Sequence, residues 1–177
     1  MQRSKGHNSM LDIMIHILAS VFLFMNSAGG DEISNSETDG LPWLTYEEAL
    51  QVAAEEDGDI MLFMEADWCS VCKRMKREVF SQAEVQQAVD AGFSPVLINI
   101  DSKEQLRFKG KATTKMDFSK NIGVQATPTF LFLNHDEEVI GSIPGFLNSS
   151  DFIGLLDYVK SDSYYKESFE DFLKTYN

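Results

Sequence analysis

Cys69 and Cys72 are the two cysteines of a 177-residue chain, and they stand two residues apart in Trp68-Cys69-Ser70-Val71-Cys72-Lys73. That spacing lets two sulfurs meet across one helical turn, so the pair can cycle between dithiol and disulfide. In such a cycle the first sulfur attacks a partner and the second resolves the mixed disulfide. Two blander readings compete, a structural disulfide and half of a zinc site. The zinc reading fails on ligand number, because beyond an N-terminal apolar run only His135 is left to supplement two thiolates. Two cysteines in a chain of this length are no disulfide scaffold either.

The surroundings of the pair sharpen the reading. Ile60 to Glu65 (IMLFME) is a short apolar run between turn signals, which fits a strand buried on both faces. From Cys69 to Phe80 the pattern turns helical. The first sulfur therefore sits at a helix N-terminus, where unsatisfied backbone N–H groups and the macrodipole favour thiolate over thiol. A Cys-x-x-Cys between an apolar strand and a helix is a far stronger redox signal than the spacing alone.

The flanking elements follow from caps and periodicity. Thr45-Tyr-Glu-Glu48 is a capping box opening a helix over Tyr46 to Glu56, and Ser81-Gln-Ala-Glu84 offers a second one for a helix to Asp90. Val96 to Ile100 is a strand. Residues 102–115 read as an irregular, basic stretch leading into a short helix that ends near Gly123. Thr129 to Leu133 and Val139 to Ser142 pair as a hairpin around Asn134-His-Asp-Glu137. Ser149 or Ser150 caps a helix to Lys160, and a last helix covers Tyr164 to Lys174. Strands separated by helices predict a parallel pair, and the hairpin adds an antiparallel one. The fold class is α/β, a central mixed sheet with helices on both faces and an extra C-terminal helix.

Composition bounds the rest. The balance of 15 Lys and Arg against 28 Asp and Glu, a formal charge of −13, excludes a nucleic-acid backbone as principal ligand. The 44% of hydrophobic residues is enough for one cored domain. Residues 1–28 read as an export signal, with Arg3, Lys5 and His7 ahead of the apolar run Ile13 to Met25 and small residues after it. Residues 29–42 (GGDEISNSETDGLP) read as a linker and 43–177 as the domain, of which 163–177 is a helical extension. The location expected is periplasmic or otherwise extracytoplasmic, by a cleaved signal or by a retained membrane anchor.

Ala126-Thr127-Pro128-Thr129 is the second element of interest. Proline directly before an apolar strand needs a special geometry or a sheet edge. A cis Thr127–Pro128 bond is one candidate, and an ordinary trans turn proline is the other.

Taken together, ADWCSVCK, the Thr-Pro before a strand and Gly145 after the hairpin resemble the thioredoxin fold, over residues 43 to about 160. Within that superfamily, EADWCSVCKRMKREVFSQAEV is similar to the C-terminal thioredoxin domain of the membrane reductase DsbD. GVQATPTFLFLN, Phe108-Lys-Gly-Lys111 and LLDYVKSDSYYKESFEDFL look like the periplasmic thioredoxins of sulfur-oxidation (Sox) clusters. The resemblance implies Cys69 as nucleophile, Cys72 as resolving thiol, a cis Pro128, and a Thr127 backbone that pairs with a substrate strand. Trp68 and Lys73 flank the cysteines as supporting residues. It also implies a reductase or electron carrier acting on protein or small-molecule thiols and disulfides, with a membrane thiol–disulfide reductant as a further partner. No metal or other cofactor and no oligomer is required.

Two departures stand out. The acid that thioredoxins bury six residues before the first cysteine is Phe63 here, and the second acid of the DsbD domain is Lys76. Glu65 is the nearest substitute, since it shares a strand face with Phe63. Partial burial among Met64 and Ala66 suits it to take the Cys72 proton. A half-exposed carboxylate at a strand end is the plainer alternative.

Lys73, Arg74, Lys76 and Arg77 form a basic cluster, and so do Arg107, Lys109, Lys111 and Lys115. Both fit solvated faces, and the first also fits thiolate support or attraction of an anionic partner. Tyr165, Phe169, Phe172 and Tyr176 share one face of a helix, for packing or for docking. Against the reductase stand an isomerase or oxidant, and a non-catalytic binding module on the same scaffold.

Overall fold

In the computed structural model, which describes residues 40–176, the chain runs through α1 (Tyr46–Glu56), β1 (Asp59–Glu65), α2 (Ser70–Met75), a π-helical turn (Lys76–Phe80), α3 (Ala83–Asp90) and β2 (Phe93–Asn99). It continues through β3 (Gln105–Phe108), β4 (Lys111–Thr114), α4 (Lys115–Asn121), β5 (Thr129–Leu133), β6 (Val139–Pro144) and α5 (Ser149–Lys160). A 3₁₀ turn (Ser163–Tyr165) and α6 (Phe169–Thr175) close it. The expected export signal lies outside the described residues.

Four strands form the main sheet in the order β2-β1-β5-β6. β1 is parallel to β2 and antiparallel to β5, and β5 is antiparallel to β6. Ile60 to Glu65 is buried without interruption, as a central strand with helices on both faces must be. Met61 and Phe63 face a core built with α2, α3 and α5, while Ile60, Leu62 and Met64 face one built with α1, α4 and β3. The mixed sheet covered on both faces agrees with the sequence reading. Pro95 sits within β2, where an edge strand tolerates a missing N–H.

Several local expectations need correction. Residues 105–114 are an antiparallel hairpin, not an irregular stretch. Its two-residue loop, Lys109-Gly110, has both residues at positive φ, 48° and 74°, as the tight hairpin turn requires. Lys at the first position hid that turn. The Ser81 capping box does not form. Ser81 Oγ donates back to the Arg77 carbonyl at 2.8 Å, and Gln82 is the residue preceding α3. Asn148, not a serine, caps α5 by accepting from the Asp151 amide at 2.9 Å.

The expected last helix is broken. Ser168 caps a new start by accepting from the Asp171 amide, so Tyr165 falls outside α6 and is 79% exposed against Tyr164. Phe169 and Phe172 pack on Tyr158 of α5, and Leu173 and Tyr176 lie over Gly154. The aromatic stripe is packing, apart from Tyr165.

The folded chain also reaches back into residues read as linker. Leu41 is buried in the core, and Gly40, at φ +80°, lies flat against the end of the π-helical turn. A Cβ there would stand 2.3 Å from the Phe80 carbonyl oxygen. Gly40→Ala is therefore expected to destabilise the protein by about 2–4 kcal/mol, from strain and overlap together. Urea unfolding checks this, and an unchanged midpoint would show that the strap does not hold the turn.

Candidate active site

The site grows from the ends of β1 and β2. Because the two strands are parallel and in register from Asp59↔Phe93 to Glu65↔Asn99, their C-terminal ends lie side by side. The Ile100 amide extends the ladder to the Glu65 carbonyl at 2.9 Å. Asp67 and Trp68 leave β1 and are tied to the neighbouring chain. Asn99 Nδ2 donates to Asp67 Oδ1 and Trp68 Nε1 to Asp101 Oδ2, each at 2.8 Å. The Trp68 ring is thus fixed by its N–H and still 69% exposed. Asn99 and Asp101 were not foreseen. Their signal was positional, as polar residues at the end of a strand beside the one that carries the cysteines.

Cys69 is the residue preceding α2, and its backbone is extended, φ −74° and ψ 97°. Its sulfur takes the place of a capping side chain, accepting from the Cys72 amide at 3.0 Å. That donor is one of the orphan N–H groups at a helix start, and it supports negative charge on Sγ. Cys69 and Cys72 are joined as a disulfide with Cα atoms 5.3 Å apart. Cys69 retains 4% exposure and Cys72 none, so Cys69 is the less enclosed of the two. Lys73 is on the exposed side of α2, its amide donating to the Cys69 carbonyl at 3.2 Å.

Pro128 reaches the same end of the sheet. The β1–β5 register ends at Met64↔Thr129, which places Pro128 opposite Glu65, where the chain departs for the cysteines. The Thr127–Pro128 peptide is cis, and the Pro128 carbonyl accepts from the Gly145 amide at 2.8 Å. Thr127 Oγ1 is buried with no hydrogen-bond partner among the described residues. A cavity of about 310 Å³ runs beside this loop, lined by Val124, Ala126, Thr129 and Pro144 among others.

Glu65 is more deeply buried than a strand-end carboxylate usually is, at 8% exposure. Its surroundings differ from the expectation, however, because Lys76 Nζ contacts Oε1 at 2.9 Å with both side chains nearly enclosed. Lys76 stands one turn beyond Cys72 and donates its amide to the Cys72 carbonyl. The residue that departs from the DsbD pattern therefore partners the residue proposed to compensate for it. Phe63, in the usual acid position, packs its ring between Trp43, Phe80 and Phe130.

A family model described as a thioredoxin-like domain matches residues 46–160. The chain belongs to that family. It is 24% identical over 161 residues to the thioredoxin-related protein DsbJ of Chlamydia pneumoniae, covering 88% of this chain and 46% of that protein. It is 28% identical over 109 residues to the thiol:disulfide interchange protein DsbD of Pseudoalteromonas atlantica, covering 60% of this chain and 17% of that protein. The chain thus spans about half the length of the first relative and under a fifth of the second. Among solved structures, a thioredoxin from Thermus thermophilus aligns with TM-score 0.56 and 25% identity, over 68% of this chain and 88% of that one. These matches fix the thioredoxin fold and the disulfide-oxidoreductase family of relatives, with Cys69 and Cys72 at its motif. No helix among the described residues is long and apolar enough to cross a membrane.

The enclosed ion pair makes a prediction. Lys76→Met strands the Glu65 carboxylate and should destabilise by about 1–3 kcal/mol, somewhat less than a fully buried pair because both groups touch water. Adding Glu65→Gln should restore more than half of that loss. Denaturant titrations of the four proteins measure it. Strict additivity would mean that the two groups do not depend on each other.

Proposed function

We propose that the protein is an extracytoplasmic thiol–disulfide oxidoreductase working as a reductase or electron carrier. The observation that carries this reading is the Cys69 sulfur capping α2 with the fully enclosed Cys72 sulfur behind it. In the reduced form the Cys69 thiolate attacks a sulfur of the partner disulfide. That S–S bond breaks and its other sulfur leaves as a thiolate. Cys72 loses its proton and attacks Cys69 Sγ, which releases the attacked partner sulfur as a thiolate and re-forms the Cys69–Cys72 disulfide. Two electrons pass to the partner, and an upstream dithiol restores the reduced pair. Similarity to DsbD and DsbJ supports the reducing direction and the extracytoplasmic setting. In this reading Trp68, Thr127 and Pro128 line the approach to Cys69, with the Thr127 backbone receiving the substrate strand, and Lys73 supports the thiolate.

The Glu65–Lys76 pair is the assigned manager of the Cys72 proton. Glu65 ends the strand that leads to the cysteines and Lys76 follows Cys72 by one turn, both nearly enclosed, whereas Phe63 supplies no charge. Glu65→Gln should slow resolution of a trapped mixed disulfide about tenfold while leaving the first attack nearly unchanged. Stopped-flow kinetics separate the two steps, and an equal effect on both would remove Glu65 from this role.

Insulin reduction with dithiothreitol tests the class of function. Cys69→Ser should abolish turnover, and Cys72→Ser should accumulate mixed disulfides that nothing resolves. Turnover equal to wild type in Cys69→Ser would leave a binding module instead. A reduction potential below about −220 mV is expected of a reductant, whereas one near −120 mV would mark an oxidant.

A further inference from the structure

The surface beside the disulfide is electrically lopsided. On the helical side stand Lys73, Arg74 and Arg77, all exposed. The one acid among them, Glu78, accepts from Arg74 Nε and Arg77 Nη2 at 2.7 Å each, so a single carboxylate serves two guanidiniums. Those hydrogen bonds, Arg74's first, hold Glu78 below the ordinary carboxylate range, so it stays ionised. Lys76 adds nothing outward, because Glu65 neutralises it inside. The patch keeps a net excess of two positive charges in a protein of formal charge −13.

Arg74 also spans the gap between the two halves of the site. Its guanidinium lies 4.1 Å from the centroid of the Phe146 ring. Phe146 follows Gly145, whose amide is bonded to the Pro128 carbonyl. The cation is thus seated between the helix that follows Cys69 and the Gly145–Phe146 loop, which is itself bonded to Pro128. Before the cysteines, Asp67 accepts from Asn99 and Asp101 from Trp68. Any polypeptide reaching the Cys69 sulfur past Trp68 and Val71, both exposed, has positive charge along one flank.

We infer that the partner of this dithiol is a polypeptide segment whose disulfide is flanked by acidic side chains, held by Lys73 and Arg74 as it meets Cys69. The inference rests on the redox reading above and adds the chemistry of its substrate. A protein this acidic repels acidic partners at long range, so a positive patch on the helical run that follows the reacting sulfur selects them at contact and in one orientation.

The test uses three disulfide-linked peptides of one length with Glu, Gln or Lys on both sides of each cysteine. Stopped-flow rates of their reduction by the reduced protein are measured at about 20 mM and about 0.5 M salt. The Glu peptide should react about threefold to tenfold faster than the Gln peptide at low salt, the Lys peptide slower, and high salt should collapse the order. In Lys73→Glu/Arg74→Glu the order should reverse, and in Lys73→Gln it should narrow. Equal rates for the three peptides, or an order that the charge reversal leaves in place, overturn the inference while the redox reading stands. Reduction of none of the three overturns that reading and the inference with it.

Discussion

A strand enclosed on every side can meet a partner only at its end. β1 has β2 and β5 along its edges and a hydrophobic core on each face, and Ile60 to Glu65 are all buried. The residues of the candidate site are arranged about the point where this strand stops. The parallel neighbour delivers Asn99 and Asp101 to that point to pin Asp67 and Trp68. The antiparallel neighbour delivers Pro128 to it. The helix that follows begins on the Cys69 sulfur itself. Shifting β1 by one residue would turn Phe63 and Glu65 from one core to the other and separate all of these groups.

Most of this was legible from residue types because the relevant rules are local. The apolar run of β1, the Thr45–Glu48 capping box and the Cys-x-x-Cys at a strand-to-helix turn each declare themselves within a few residues. What was missed depended on geometry that sequence spacing does not carry. Lys109-Gly110 makes a tight hairpin turn because both residues enter the left-handed region, which Asn-Gly announces and Lys-Gly does not. Ser81 has the composition of a cap, but the helix before it widens into a π-helical turn and takes its hydroxyl. Tyr165 keeps the period of the aromatic stripe, yet the chain restarts its helix at Ser168. The contacts of Asn99 and Asp101 join residues 32 and 33 positions apart, and no local pattern reveals such a pair.

Glu65 shows the same limit in a more telling form. Strand periodicity put it on the Phe63 face and left open whether it is enclosed or half-exposed there. What it could not show was the cation 11 positions later whose contact changes the meaning of that burial. A lone buried carboxylate is a candidate base, whereas one in contact with an ammonium is half of a neutral unit. Aromatic packing with Trp43, Phe80 and Phe130 fills the position where the thioredoxin resemblance implies a buried acid, and the enclosed charge stands two residues along the strand with its counterion beside it.

That internal neutralisation also shapes the outer surface. Four cations follow the cysteines within five residues, Lys73, Arg74, Lys76 and Arg77, but helical geometry sends them to different fates. Lys76, one turn beyond the enclosed Cys72, points inward to Glu65, while the other three face solvent. The inward lysine gives the enclosed Glu65 carboxylate its counterion, so the pair carries no net charge inside. The outward ones set the potential met by an arriving partner. A single basic run therefore divides into one lysine paired inside with Glu65 and three cations that face solvent, and the change from α-helix to π-helical turn at Lys76 falls within that run.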